Sequence, residues 1–354
     1  MSNVEVSQVP AVLIFEQDMS SKVKNGVHRP VFANVFTKQS IQKTELGHIH
    51  LMVNPFAGKK KGEKIAELAK SLLEAKGCTV QIHISEYSGH LIELAESIEA
   101  HQNDVFAVVG GDGSLSEVIT GRMMIGKDHQ QTFALIPAGT GNSMAHDLAI
   151  TSTERAVDGI LCGQRQNLDL AKVELVKGLP GSEDGRMVRF SHNLVTWGLG
   201  VDSTIKAERM RWMGPVRYDV GILMAIMANV RRQATLTLDG VQMEGDYTLF
   251  LIQNSQTGGS MLPLAPGASL DDGWMDIGIL KKMTRRDVLK AFGMLKKEGR
   301  HVFHPRVDYH TFRTLTIETP SPAAVNIDGE NIGSTPLTME VLPSKVLICI
   351  PKLE

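Results

Sequence analysis

The 354-residue chain predicts an α/β nucleotide-binding domain with a parallel sheet, followed by a mostly antiparallel β-sandwich-like domain. Three observations carry that prediction. Short apolar runs alternate with helical patterns from His48 to about Leu168, the rhythm of parallel βαβ units. After Leu168 the pattern turns to closely spaced strands separated by turn residues. And three glycine-bearing loops, 54–62, 110–113 and 139–141, each follow a predicted strand, where open α/β sheets bind their ligands.

The elements follow in order. Residues 1–46 are weakly patterned, with "VPAVLIF" as one strand candidate, and read as a variable lead-in of unassigned role. "HIHLMV" (48–53) is a strand, "NPFAGKKKG" (54–62) a loop, and "EKIAELAKSLLEAKG" (63–77) a helix closed by Gly77. "TVQIHIS" (79–85) alternates as a strand and "HLIELAESIEA" (90–100) is helical. Val105, Phe106, Ala107, Val108 and Val109 form a strand buried on both faces, running into "GGDGSLSEVITG". Leu115, Val118 and Ile119 then take the spacing of an amphipathic helix. "TFALIPA" (132–138) is the strand before "GTGNSMAHDL". In the second half, "LAKVEL", "MVRFSHNLVTWG", "ATLTLDG", "YTLFLIQN", "MDIGIL", "RTLTIET", "AAVNIDG", "LTMEVL" and "KVLICI" read as strands, interrupted by helices near 203–231 and 285–299. The expected division is 1–46, 47–167 and 168–354, with 326–330 returning to the nucleotide cleft.

Composition narrows the function. A net charge of −2 and 5% aromatic residues argue against nucleic acid as partner. Cys78, Cys162 and Cys349 are scattered without metal-ligand spacing, as in a reducing compartment. The N-terminus has no signal-peptide pattern, and "VGILMAIMANV" (220–230) is too short to span a bilayer. A cytoplasmic protein, meeting membranes only from the surface, is expected.

Taken alone, Asp112 between glycines is equally a solvated turn or a phosphate-side carboxylate. Together, "VNPFAG", "VVGGDGSLSEVITG" and "IPAGTGNSMAHDL" resemble the catalytic domain shared by diacylglycerol, sphingosine and ceramide kinases. "WGLGVDSTIKAERMRWMGPVRYDVG" (197–221), "KKEGRH" (296–301) and "NIDGE" (326–330) extend the resemblance towards the sphingosine and ceramide kinase branch. It implies an ATP- and magnesium-dependent lipid kinase. Asp112 would be the base that deprotonates a lipid hydroxyl as it attacks the γ-phosphate, a reaction governed by positioning and charge. The resemblance assigns the nucleotide to Asn54, Pro55 and Phe56; to Ser85 through Gly89; to Gly110, Gly111, Gly113 and Glu117; to Gly139, Thr140 and Gly141; to Arg211 and Arg217, oriented by Glu208; and to Asp328, Gly329 and Glu330. The lipid headgroup would meet Asp202 and Thr204. Thr204 stands where sphingosine kinases carry an acidic residue, so a partner for an ammonium is missing at that position. A sphingoid base or related sphingolipid is favoured, with diacylglycerol as the other acceptor.

Three features stay open at this level. Lys59, Lys60 and Lys61 attract anions or form a solvated loop. Met210, Trp212, Met213 and the stretch 222–227 line a lipid pocket, touch a bilayer or pack in the core. Asp272 in "APGASLDDGWMDIG" holds a structural magnesium or belongs to a turn. Two other functions share the GGDG feature or the fold: an NAD-kinase-like small-molecule kinase, which lacks support because its asparagine–glutamate dipeptide is missing, and a non-catalytic lipid-binding protein. The expected partner is the lipid substrate at a membrane surface, with a homodimer left open.

Overall fold

A computed structural model describes residues 35–36, 42–126, 130–139, 142–213, 216–259 and 261–352. The strand candidate "VPAVLIF" lies outside them. The first half is built on β2 (Ile49–Val53), β3 (Val80–Ile84), β4 (Val105–Gly110) and β5 (Thr132–Pro137). β2 pairs in parallel with β3 and β4, and β4 in parallel with β5. β2 and β4 are buried along their whole length, as unbroken apolar runs require.

The helices of this half cover the sheet. In α1 (Gly62–Glu74) the residues Ala66, Ala69 and Leu73 are buried, one stripe at three- and four-residue spacing. Gly77 beyond it has φ 81°, a conformation glycine adopts without strain. α2 (His90–Ser97) ends earlier than its sequence pattern, before the extended Ile98. α3 (Asp112–Met124) is buried all round from Ser114 to Arg122, although its spacing suggested one wet face. Its outer side is closed by α2, where a Cβ on Gly121 would meet Ala95 Cβ at 2.9 Å. Another side is closed by Phe190, whose N–H donates to Thr120 Oγ1 at 3.1 Å. The buried Arg122 donates to the carbonyls of Ala95 (2.8 Å) and Ile98 (2.7 Å) and lies over the Phe106 ring, so its charge keeps partners. Two further helices, α4 (Ser143–Asp147) and α5 (Thr153–Leu161), follow β5.

The second half opens with β6 (Gln164–Lys177), which the two-residue β1 (Gln42–Lys43) flanks, then β7 (Arg186–Ser191) and β8 (Leu194–Gly198). The expected helix near 203–231 is several pieces: α6 (Leu199–Glu208), a 3-10 turn at Arg211–Met213, and α7 (Val216–Ala228). β9 (Arg232–Leu238), β10 (Val241–Gln253) and β11 (Met275–Lys281) come next. α8 (Arg285–Leu295) is capped by Thr284, whose hydroxyl accepts from Asp287 N at 3.2 Å. β12 (Val307–Phe312), β13 (Thr314–Glu318), β14 (Ala324–Ile327) and β15 (Glu330–Cys349) finish the chain. "LTMEVL" and "KVLICI" are thus one strand.

β15 joins the halves. It pairs antiparallel with β14, β13 and β6, and its last residues pair in parallel with β5 through Leu347 and Ile348. Ten of the described strands therefore run in one continuous order, β12-β11-β10-β8-β14-β15-β5-β4-β2-β3, and β1, β6, β7, β9 and β13 pair beside this path. The largest hydrophobic core takes Leu168 and Leu170 of β6 together with Val346 and Ile348 of β15; a second takes Ala171, Val173 and Leu175 of β6 with Leu337 and Met339 of β15. No described helix is long and apolar enough to cross a membrane.

Candidate active site

A cavity of about 490 Å³ opens between the halves. One end is polar and lined by Asn54, Gly111, Asp112, Gly113, Ser114, Gly139 and Asn142, with Asp328, Gly329 and Glu330 of the β14–β15 turn. The other end is apolar, with Leu199, Ile222, Leu249, Leu251, Leu264 and Phe292 among its walls. Thr204 lines it as well.

Asp112 opens α3 where β4 ends, directly after Gly111. Its Oδ2 accepts from Ser143 N at 2.9 Å and its Oδ1 from Met144 N at 3.2 Å. The carboxylate therefore ties the second glycine loop to the third. Burial, the largest influence, pushes its pKa up, and Asp328 adds to the rise. His192 and the two backbone donors oppose it. A carboxyl raised in this way is a stronger base when ionised.

The glycines leave room for what a side chain would fill. A Cβ on Gly110 would lie 2.5 Å from Ser114 Cβ; on Gly111, 2.9 Å from Asn142 Oδ1; and on Gly139, 3.0 Å from the same Oδ1. Asn142 thus stands between two of the loops, donating Nδ2 to Gly139 O at 3.0 Å. Its Oδ1 is buried without a hydrogen-bond partner among the described residues, and so is Asn193 Oδ1. Two unsatisfied buried acceptors lining a cavity are complementary to a ligand carrying donors. Asn54 donates Nδ2 to Ser114 Oγ at 3.1 Å and accepts Phe56 N at 3.0 Å, bracing the first loop against α3.

Asp328 is held by its surroundings. With φ 47°, it accepts from Ser191 Oγ, Asn193 N and Leu194 N on Oδ1, and its Oδ2 lies 3.4 Å from His192 Nδ1. Burial alone would raise its pKa, but His192 and these donors bring it below the ordinary value. His192 is fully buried; desolvation opposes its charge, yet Asp328 and Asp112 raise its pKa. The two carboxylates thus favour the charged form of His192, against the cost of its burial. Glu330 is pushed up to about 7, first by burial and then by Glu117, with Arg189 opposing.

The remaining expected residues divide. Among the described residues, the cavity lining does not include Ser85, Gly89 or Glu117; instead Gly89 N donates to Glu117 Oε1 at 3.0 Å, so Glu117 anchors that loop from below. Nor does it include Pro55 or Phe56, the latter 62% exposed. Thr140 and Gly141 lie outside the described residues, as does the side chain of Arg211. Arg217 sits half-buried in the first turn of α7. Glu208 accepts from Asn331 Nδ2 at 3.4 Å. Asp202 is turned to Arg232, which forks onto it at 2.8 and 3.0 Å. Thr204 Oγ1 meets Val201 O (2.9 Å) and Asn331 Oδ1 (3.0 Å).

Asp272 Oδ1 accepts Trp274 N at 3.0 Å, as in a turn. Among the described residues no group of three or more His, Cys, Asp or Glu side chains is arranged to hold a metal ion. The expectation of a structural magnesium at Asp272 thus finds no side-chain cage. Reasoning from sequence also missed Asn142, Ser114, Asn193 and His192. Ser114 and Asn142 carried a local signal, following directly on the second and third glycine loops.

Residues 48–173 match the family described as the diacylglycerol kinase catalytic domain, and 193–350 that described as the YegS C-terminal NAD kinase beta sandwich-like domain. The chain is 24% identical over 341 residues to a sphingosine kinase 1 of Arabidopsis thaliana, covering 82% of this chain and 68% of that one. It is 23% identical over 304 residues to a diacylglycerol kinase of Bacillus subtilis, covering 85% and 96%. A crystal structure of a diacylglycerol kinase from Bacillus anthracis superposes with a TM-score of 0.68 at 21% identity, over 87% of this chain and 98% of that one.

Proposed function

Because the chain belongs to the diacylglycerol kinase catalytic-domain family of lipid kinases, we propose that it transfers the γ-phosphate of ATP to a lipid hydroxyl in the cavity between its halves. One observation carries this reading: a single cavity is lined both by Asp112 and the glycine loops and by Leu199, Ile222, Leu249, Leu251, Leu264 and Phe292. A nucleotide fits the first and an acyl or alkyl chain the second.

In the proposed step the lipid oxygen attacks the γ-phosphorus, its proton passes to Asp112, and the bond to the β-phosphate oxygen breaks to release ADP. The loop amides at 110–113 and 139 meet phosphate charge. A magnesium ion bound with the triphosphate would neutralise phosphate charge, and that ion is usually held by one or two carboxylates plus substrate phosphates rather than by a protein cage. Glu330 and Asp112 would be the carboxylates to hold it at the cavity wall, since Asp328 is taken up by Ser191, Asn193 and Leu194.

The acceptor is proposed to lack a free amine. Among the described residues the carboxylates lining the cavity are Asp112, Asp328 and Glu330, and Asp202 is paired with Arg232. Thr204 itself offers an ammonium no counter-charge, and Glu208 beyond it is engaged by Asn331, the residue that Thr204 Oγ1 also meets. This favours ceramide-like or diacylglycerol-like lipids over a free sphingoid base, against the lean of the sphingosine-kinase-like segments. The test is purified protein with labelled ATP and sphingosine, ceramide and diacylglycerol in detergent micelles. Phosphorylation of an amine-free lipid above sphingosine is expected. Labelling of no lipid, with labelling of NAD, would move the activity to the small-molecule kinases.

A further inference from the structure

On the lipid-kinase reading, we propose that Asn193 decides which acceptor is used: its side-chain oxygen takes a hydrogen bond from a second donor of the lipid, a hydroxyl or amide N–H beside the hydroxyl that receives phosphate. Asn193 lies between β7 and β8, is 2% exposed and lines the cavity. Its backbone is engaged on both sides: N donates to Asp328 Oδ1 at 3.1 Å, and O accepts from Asn254 N at 2.8 Å. Its Nδ2 donates to Thr257 O at 3.2 Å. Oδ1 is left without a partner among the described residues. Turning the amide over would set Oδ1 against the Thr257 carbonyl, acceptor against acceptor. Thr257 is itself fixed, since Asp147 accepts from its N at 2.9 Å and from its hydroxyl at 2.8 Å. A buried acceptor held in this way costs free energy that a ligand's donor can recover.

The surroundings of this oxygen say what it reads. Phosphate oxygens are acceptors, so the triphosphate offers it no donor. The other unpartnered oxygen, Asn142 Oδ1, sits beside Gly111 and Gly139 on the glycine loops. Asn193 belongs instead to the run that supplies apolar wall, for Leu194, Thr196 and Leu199 line the same cavity. Its backbone partner Asp328 is near enough to Asp112 to help raise the pKa of that carboxyl. A headgroup whose hydroxyl meets Asp112 therefore comes beside Asn193. In a 1,2-diacylglycerol the reacting hydroxyl is accompanied by esters, which bring acceptors alone. A monoacylglycerol or an N-acyl amino alcohol keeps a donor next to it. Sites built to bond such a donor discriminate strongly against analogues that lack it, because the buried partner is then left unpaired.

The test offers the full chain paired acceptors in detergent micelles with labelled ATP. One pair is a long-chain 1-acylglycerol and the acylpropanediol that lacks only its second hydroxyl. The other is a ceramide and the same ceramide methylated at its secondary hydroxyl and its amide nitrogen. In the wild type, kcat/KM is expected to favour the donor-bearing member of at least one pair by at least about 10-fold. That comparison needs no variant, so it holds even where a substitution fails to fold. Asn193→Leu replaces the amide by an apolar group and should bring that preference to within about threefold of unity, by slowing the donor-bearing member. No preference in the wild type, a preference that the variant keeps, a 1,2-diacylglycerol used faster than every donor-bearing acceptor, or a loss of ATP affinity in the variant as large as the loss of preference would overturn the proposal. Lipids phosphorylated alike with and without the second donor would leave the kinase reading standing and remove this role of Asn193; phosphorylation of no lipid would remove both.

Discussion

An aspartate flanked by glycines can be a solvated turn or the centre of a site, and at position 112 the contacts distinguish the two. Replacing Asp112 with asparagine keeps the shape but removes the proton acceptor, so turnover should fall about 100-fold or more. As a turn residue it would be expected to leave stability nearly untouched. The two backbone donors from Ser143 and Met144 change that expectation: the amide turns its NH2 towards one of them, for a loss of about 1–3 kcal/mol. Urea titration beside a turnover assay separates the effects; near-normal turnover would remove Asp112 as base. Glu330 gives a pH signature. Its pKa in the folded protein is about 7, above the ordinary 4.5, so between these values the folded state holds a proton the unfolded chain has lost. Stability should therefore fall as pH rises through that window. Glu330→Gln should flatten the slope, and an unchanged slope would assign it to another group. At this scale the glycine loops were legible because their spacing is local. Asn142 and His192 were harder to read, since their roles come from partners such as Gly111 and Asp328 that only folding brings near.

The third glycine loop shows how an element acts through a single missing side chain. A valine at position 139 would press its branches on Asn142 Oδ1, already 3.0 Å from the Cβ position. Gly139→Val should weaken ATP binding at least about 10-fold with circular dichroism unchanged; calorimetry showing wild-type affinity would dissociate this loop from the nucleotide. On α6, Asp202 and Thr204 offer a contrast. Asp202→Asn loosens the tie to Arg232 at the start of β9 and should lower activity on all lipids alike. Thr204→Asp places a carboxylate at the cavity wall and should raise the rate on sphingosine relative to diacylglycerol. A lipid panel in which Asp202→Asn abolishes sphingosine use alone would return the headgroup to Asp202. Periodicity revealed most helices and strands, because burial on one stripe or both faces leaves a repeat in the residues. It could not reveal that α3 is enclosed on every side, nor that "LTMEVL" and "KVLICI" are one strand, since Pro343 and Ser344 between them read as a break. The irregular pairing between Leu342 and Val346 absorbs that break without ending β15.

At the scale of the whole molecule, two cores share β6 and β15, so unfolding one half exposes apolar surface of the other. A single cooperative transition is expected. Far-ultraviolet circular dichroism reports both halves, while Trp197, stacked on Phe250, reports the second. The two curves should coincide, and separated midpoints would show halves that unfold independently. The cavity also belongs to this scale. Leu264→Trp fills its apolar end, and should raise KM for a long-chain lipid while leaving ATP affinity as it was, at a stability loss of about 1–3 kcal/mol. Equal effects on both substrates would mean that this end does not receive the chain.

The path of β15 has a consequence for how the protein is made. Leu347 and Ile348, within the last eight residues, pair with Thr132 and Phe133, and Glu330 comes to the cavity whose base was synthesised more than two hundred residues earlier. The nucleotide half therefore emerges from the ribosome with one edge of its sheet, β5, unpaired. An uncovered edge of that kind invites the wrong strand, so until β15 has been made the growing chain depends on whatever shields it. Loss of the pairing at Leu347 and Ile348 would then act as a folding defect in the first half of the fold, even though every loop residue of the site had been translated.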